Sequence, residues 1–231
     1  LQKIFPEHFV FYRPRDIVSG DFYFIKHIKN ANILIVAAAD CTGHGVPGAF
    51  MSMLGISLLN EIVVKPEVNH TDTVLNELRE GVINSLNQEG KEVETKDGMD
   101  IALIAYDYKK GIVEFSGANN PLYLIINGEL IDYKADKMPV GLYDRKQDMF
   151  SRTEINVQKG DVLYIFSDGF ADQFGGEKEK KYLYKRFKEY LLSIHAFPMT
   201  EQTVLLEKEI LSWRGNIEQI DDHIVIGIRI C

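Results

Sequence analysis

Ile33-Leu34-Ile35-Val36-Ala37-Ala38-Ala39-Asp40-Cys41-Thr42-Gly43-His44-Gly45-Val46-Pro47-Gly48 is the stretch whose reading decides the fold. It opens with an unbroken apolar run, Ile33–Ala39, which is strand-sized and far short of a membrane span. Asp40 ends that run, and a Gly/His-rich turn follows. Val46–Val64 then continues, too long for a strand, apolar nearly all round, with Pro47 near its start. That pattern predicts a buried helix.

Working outward, Lys29-Asn30-Ala31-Asn32 is a turn joining Ile33–Ala39 to a strand at Phe22–Ile28, with another strand at Phe9–Tyr12. Beyond the helix, Val74, Leu75, Leu78, Val82 and Leu86 recur close to a period of 3.6 and predict an amphipathic helix over Thr71–Asn87. The polar stretch Asn87 to Asp97 reads as a loop. Ile101–Tyr106, Ile112–Ser116 and Leu122–Ile126 read as strands, and Asn127-Gly128 signals a hairpin into Glu129–Tyr133. Val162–Phe166 and Ile224–Ile230 are further strands. Two helices lie between them, Tyr182–Leu192 and Thr200–Trp213, the latter with Thr200 as expected N-cap. Runs of hairpin-linked strands separated by helix pairs imply an α+β fold of packed antiparallel sheets covered by helices, not βαβ alternation. No internal repeat or low-complexity segment interrupts this single-domain reading of residues 1–231.

Composition narrows the function. Of 231 residues, 45% are hydrophobic and 26% charged, as in ordinary globular proteins. The net charge of −8 argues against sequence-independent nucleic-acid binding and would repel a phosphorylated substrate unless local cations intervene. The N-terminus lacks the basic and apolar regions of a signal peptide. The chain starts without Met, as an excised domain would, so upstream sequence is expected. Only Cys41 and Cys231 are present, which favours a reducing, cytoplasmic setting.

Several phosphate chemistries are excluded. There is no G-x-x-x-x-G-K-[ST] phosphate loop. Six residues after Cys41 stands Pro47, not the Arg of a cysteine phosphatase. There is no His-Asp dipeptide and no G-x-S-x-G, and the histidines show no zinc-ligand spacing. What remains is a set of four places where Asp stands at or beside the end of an apolar strand: Ser19-Gly20-Asp21, Ala39-Asp40-Cys41, Ser167-Asp168-Gly169 and Asp221-Asp222-His223. One such Asp is ordinary turn chemistry. Four that converged would repel one another unless a cation lay between them, and hard cations such as Mg²⁺ or Mn²⁺ take oxygen ligands.

Arg15-Asp16-Ile17-Val18-Ser19-Gly20-Asp21-Phe22-Tyr23, Ala39 to Gly48, Gly117-Ala118-Asn119-Asn120-Pro121, Phe166-Ser167-Asp168-Gly169 and Asp221-Asp222 resemble, in order, the motifs of SpoIIE-like metal-dependent protein phosphatases. These are bacterial relatives of protein phosphatase 2C. The resemblance spans residues 13–230. It implies a four-layer sandwich, two central antiparallel sheets flanked by helix pairs. It also implies a binuclear Mn²⁺ or Mg²⁺ centre, with a third ion conceivable. In it, Asp40 matches the carboxylate bridging both metals, and Cys41 a main-chain carbonyl ligand. Asp21 matches the acidic residue of the second metal's shell, and Asp168 and Asp221 the remaining metal carboxylates. Ile224 replaces the usual Thr of the last motif, Asn119 replaces a frequent His, and no Arg clearly matches the phosphate-binding Arg of eukaryotic relatives, Arg15 being the nearest.

Asp40 and Asp168 therefore read as functional, since an unpaired buried charge costs several kcal/mol. Asp21 reads the same way, with turn chemistry as its bland alternative. Asp222 is the neighbour that competes with Asp221 for the ligand role. Asp100 is a weaker metal candidate whose bland reading is a strand-edge turn. Gly43 and Gly45 read as tight turns, Asn120 as a turn former, and His44 as a hydrogen-bonded structural residue. Lys178, Lys180, Lys181 and Arg186 belong to a basic cluster, by default a solvated helix face and otherwise a docking surface. The expected activity is hydrolysis of phosphoserine or phosphothreonine in a regulatory phosphoprotein, of the anti-sigma-factor antagonist type. An upstream sensor domain in the same chain, which could tether it to a membrane, and a homodimer fit the resemblance. A non-catalytic interaction module and a small-molecule phosphatase are the alternatives.

Overall fold

The computed structural model describes residues 7–43, 45–65, 70–88, 97–143 and 148–231. In chain order the elements are β1 (His8–Arg13), β2 (Phe22–Ile28), β3 (Ile33–Cys41), α1 (Gly45–Ile62), α2 (Thr71–Ser85), β4 (Gly98–Asp107), β5 (Ile112–Ala118), β6 (Leu122–Ile126), β7 (Glu129–Tyr133), β8 (Val140–Gly141), β9 (Thr153–Asn156), β10 (Val162–Phe166), α3 (Gly169–Asp172), β11 (Phe174–Gly175), β12 (Lys180–Lys181), α4 (Tyr184–Ile194), α5 (Met199–Arg214) and β13 (His223–Arg229). One sheet has the order β1-β13-β10-β6-β7, the other β2-β3-β4-β5-β9 with β8 added on β4, and β11 and β12 form a small separate hairpin. All ladders within the two large sheets are antiparallel.

The unbroken apolar run of β3 follows from burial on both faces. Leu34, Val36 and Ala38 point between the sheets, where they join Ala102 and Ile104 of β4 and Leu163, Ile165, Ile224 and Ile226 of the facing sheet. Ile35, Ala37, Ala39 and Cys41 point the other way, into a layer with Met51 and Leu59 of α1 and Leu75 and Leu78 of α2. On the far side, Tyr164, Phe166 and Val225 pack with Phe187 and Leu191 of α4 and Leu206 and Ile210 of α5. The architecture is the expected α+β sandwich of helices, sheet, sheet, helices. Asn127 and Gly128 both take positive φ, 51° and 80°, as the tight β6–β7 hairpin requires.

Several expectations are corrected. Helix α1 buries one face only: Met51, Gly55 and Leu59 are covered, whereas Val46, Phe50 and Met53 are exposed. It is long and apolar enough by composition to cross a bilayer, and its covered face packs against α2, β2 and β3. Thr200 is not the cap of α5; Pro198 is, and its carbonyl accepts from the amides of Glu201 and Gln202. Helix α4 starts at Tyr184 because Tyr182 is drawn into the core at 2% exposure. Strands β8 and β9 and helix α3 escape sequence reading. β9 is an edge strand with Ile155 as its one buried residue, and β8 and α3 are too short to carry a period. Most of the polar 87–97 stretch, and His44, lie outside the described residues.

Candidate active site

Antiparallel pairing explains why aspartates far apart in sequence meet. Strand β3 ends where β2 and β4 begin, so Asp21, Asp40 and Asp100 stand at one end of their sheet, with Asp40 directly opposite Asp100. In the facing sheet β10 ends where β13 begins, Phe166 opposite Val225, so Asp168 and the pair Asp221-Asp222 come to one end as well. β3 packs against both β10 and β13, which brings the two sets together at the mouth of the sandwich. Side-chain alternation does the aiming. Asp40 and Asp100 have the parity of Ala38 and Ala102 and face the gap between sheets, while Cys41 faces the helix layer.

The electrostatics bear the mark of crowding. Burial raises the pKa of Asp40 to about 11, helped by the charges of Asp21, Asp168 and Asp221. Burial raises Asp21 to about 8, helped by Asp222 and Asp221 and opposed by a hydrogen bond with Ser167. Asp168 is raised by burial and by Asp172, against a hydrogen bond with Asp40 and the charge of Lys181. Asp221 is raised by burial, with further contributions from Asp168 and Asp222 and an opposing one from Arg15. Asp100 is raised to about 6 by burial and Asp168, against its hydrogen bond with Asn119.

Asp21 Oδ2 and Asp168 Oδ1 are buried without a hydrogen-bond partner. Buried carboxylate oxygens without a donor are the positions at which a hard cation substitutes for one. Among the described residues no three carboxylate, imidazole or thiol groups close into a ready ion shell. The residues nevertheless fit hard divalent ions by donor chemistry, because all are oxygen ligands and two oxygens are orphaned.

Asp222 differs from its neighbour. One of its oxygens accepts from the Arg15 amide at 2.7 Å and the other from the Gly20 amide at 2.9 Å, so it ties the 15–20 loop to the start of β13. Asp221 Oδ1 accepts from the adjacent Asp222 amide at 2.9 Å, and its carboxylate senses Asp168. The Asp222 carboxylate is thus occupied by backbone donors while that of Asp221 faces the cluster. Asp100 is not in a strand-edge turn: it lies inside β4, and Asn119 Nδ2 donates to its Oδ1 at 2.8 Å.

Two close approaches explain the glycines around the site. A Cβ on Gly48 would stand 2.4 Å from the Gly43 carbonyl oxygen and 2.9 Å from Gly20 Cα, so α1 can reach the 15–20 loop only without side chains there. A Cβ on Gly169 would stand 2.0 Å from the Asp222 carbonyl oxygen, which is why Gly follows Asp168.

The basic cluster is split. Lys178 and Lys180 belong to the β11–β12 hairpin region, not to a helix face, and Arg186 stacks over Trp213 at 4.2 Å and Tyr182 at 5.5 Å. Lys181 alone of the four reaches toward the carboxylates, pairing with Asp172 at 2.6 Å and acting on Asp168. Sequence reading passed over three neighbours of the site. Ser167 bridges to Asp21 and accepts from the Ile224 amide at 3.1 Å. Asn119 holds Asp100 from a left-handed turn, φ 57°. Tyr184 lies in the field of Asp168, Asp172, Asp40 and Asp100, which together with burial raises its pKa. Asn119 carried a signal, as the residue in place of a motif His, and so did Ser167, as the neighbour of Asp168 within its motif; Tyr184 carried none.

A two-sheet sandwich with helices outside and acidic residues gathered at one end is the architecture of PP2C-type protein serine/threonine phosphatases, and the comparisons agree. Residues 30–230 match the model of the family Stage II sporulation protein E (SpoIIE), and the chain belongs to that family. The SiaA-PP2C domain of Pseudomonas aeruginosa superposes with a TM-score of 0.85 at 27% identity, covering 96% of this chain and 85% of that one. The SpoIIE phosphatase domain with a fragment of its regulatory domain from Bacillus subtilis gives 0.74 at 17%, covering 97% and 61%. RsbX in complex with magnesium gives 0.65 at 14%, covering 97% and 94%. No curated protein sequence matches the chain.

Proposed function

We propose that this domain removes phosphate from phosphoserine or phosphothreonine of a regulatory phosphoprotein, with Mn²⁺ or Mg²⁺ held by Asp21, Asp40, Asp168, Asp221 and the Cys41 carbonyl. The observation that carries the reading is the meeting of buried aspartates from both sheets, with Asp40 raised to about 11 and with orphaned oxygens on Asp21 and Asp168. Magnesium in the RsbX structure supports the choice of hard cations. When bound, a pair of such ions supplies Lewis-acid polarisation of the phosphoryl oxygens and acidification of an attacking water.

The chain's own residues supply position and charge balance. Asp40 lies between the two sheets' contributions and suits a bridging role. Asn119 fixes the rotamer of Asp100, the candidate for a weaker third ion. Asp222 holds the 15–20 loop, and with it Arg15, beside Asp221; Arg15 is the guanidinium available to an incoming phosphate, although its Nη1 also donates to the Ile220 carbonyl at 3.0 Å. An output role behind an upstream sensor domain, and a partner of the anti-sigma-factor antagonist type, extend the same reading. The deciding experiment is phosphate release from an aryl phosphate and from matched phosphoserine, phosphothreonine and phosphotyrosine peptides, in Mn²⁺ and in EDTA. Turnover in excess EDTA, or preference for phosphotyrosine, overturns the proposal.

A further inference from the structure

Beside the aspartates lies a second feature that the metal chemistry does not use. Asn119, whose side chain is bonded to Asp100, forms one wall of a cleft of about 390 Å³ that continues away from the carboxylates. Pro121, Tyr123 and Tyr184 give it an apolar, aromatic lining. Tyr184 is the same residue that feels Asp40, Asp100 and Asp168, so the cleft and the acidic site share a border on two sides. Lys134, Lys137 and Lys188 also line it, with Asp132 as the one acid among the lining residues. Asp132 is shared by Lys134 and Lys188, and Lys188 also lies 5.1 Å over the Tyr123 ring. Lys137 makes no ion pair among the described residues and is exposed. Three ammonium groups against one carboxylate leave this cleft positive in a protein of net charge −8.

A positive cleft with aromatic walls, opening onto the reacting centre, fits an extended peptide that brings a carboxylate with it. We infer that this cleft is a specificity subsite that receives an acidic side chain flanking the phosphorylated residue of the protein substrate. The inference rests on the phosphatase reading above and deepens it. Lys137 supplies the free charge, Lys134 can turn from Asp132 to the ligand because Lys188 still neutralises that acid, and the partly exposed Tyr184 ring packs the peptide's aliphatic atoms while Tyr123 forms the buried floor. The lysines hold no metal and touch no reacting atom. Their effect therefore belongs in KM for acidic substrates and not in kcat for a bare aryl phosphate.

The test compares wild type with Lys134→Ala/Lys137→Ala and with Lys137→Glu. Four substrates are used: an aryl phosphate, a phosphothreonine peptide with Asp and Glu around the phosphorylated residue, the same peptide with Asn and Gln, and the same peptide with Lys. Wild type is expected to favour the acidic peptide in kcat/KM about tenfold, mainly through KM. The double variant should erase that preference while aryl phosphate hydrolysis stays within about twofold, and Lys137→Glu should turn it toward a peptide flanked by Lys. Fluorescence anisotropy of the labelled peptides in EDTA reads the same preference with turnover stopped. Equal binding of acidic and neutral peptides by wild type overturns the subsite, as does an unchanged preference in the double variant. Loss of aryl phosphate hydrolysis in wild type would instead count against the phosphatase reading, while the anisotropy still decides the subsite.

Discussion

At the residue scale, Asp40 and Cys41 stand side by side and face opposite layers, so their substitutions should behave oppositely. The Cys41 thiol is buried in the helix-side core, and burial and the neighbouring Asp40 and Asp21 charges push its pKa up, which removes it as a thiolate nucleophile. Cys41→Ser should keep most activity and lose about 1–3 kcal/mol of stability, the range for placing a hydroxyl in an apolar layer. Asp40→Asn should abolish hydrolysis yet raise the melting temperature in EDTA, because the metal-free fold must keep Asp40 protonated at a cost that the neutral amide does not carry. Steady-state kinetics and thermal melts of both variants with and without Mn²⁺ check the pair. A folded, Mn²⁺-binding Cys41→Ser that is dead would require the thiol in the reaction, and an Asp40→Asn protein that melts lower in EDTA would deny that cost.

At the scale of elements, the 15–20 loop and β13 form one unit through Asp222, whose two oxygens take the Arg15 and Gly20 amides. Asp222→Ala leaves both amides without that acceptor and should free the loop, lowering kcat/KM at least tenfold. Asp222→Asn keeps one acceptor oxygen and should fall between. Hydrogen exchange at the Arg15 and Gly20 amides separates this positioning role from direct ligation, since loss of a ligand alone would leave their protection unchanged. The division between Asp221 and Asp222 also shows where sequence reading stops. Strand runs such as Phe22–Ile28 and Leu122–Ile126 were legible to the residue, because burial on one or both faces writes itself into the apolar pattern. The carboxylates were legible as Asp at strand ends. Which of two adjacent acids faces the cluster depends on hydrogen bonds to residues some two hundred positions away, and no local pattern encodes that. The exposed stripe of α1 was equally hidden, since Phe50 and Met53 look in sequence like the buried Met51 and Leu59. Tyr184 reads as an ordinary residue of a basic helix until tertiary packing brings it beside Asp168.

For the whole molecule, the cluster couples stability to pH, and the sign depends on which groups are shifted. Asp21 and Asp40 have folded pKa values of about 8 and about 11 against 3.8 for the ordinary carboxyl. Between those limits the folded metal-free protein holds protons that the unfolded chain has released, so stability falls as pH rises. His223 acts in the opposite sense: burial lowers its pKa from 6.5 to about 4, so its contribution grows as pH rises between those values and is complete above them. Asp100, raised to about 6, has given up its proton by neutrality. The acids shifted downward by lysine pairs, Asp107 and Asp132, act only at or below about pH 4. The interval from pH 7 to 9 is therefore governed by the aspartate cluster, with a smaller contribution of the same sign from the buried Cys41 thiol as pH nears its ordinary value of 9.0. In EDTA the melting temperature should fall across that interval, and Asp21→Asn should flatten the part of the fall that ends near pH 8. With saturating Mn²⁺ the fall should shrink or reverse, because ions compete with protons for the same oxygens and bind more tightly as those protons leave. The gap between the two melting curves should widen steadily with pH. A melting temperature in EDTA that rises from pH 7 to 9, or a gap that stays constant, would mean that these carboxylates are already ionised and compensated within the protein, leaving no electrostatic reason for the site to gather cations.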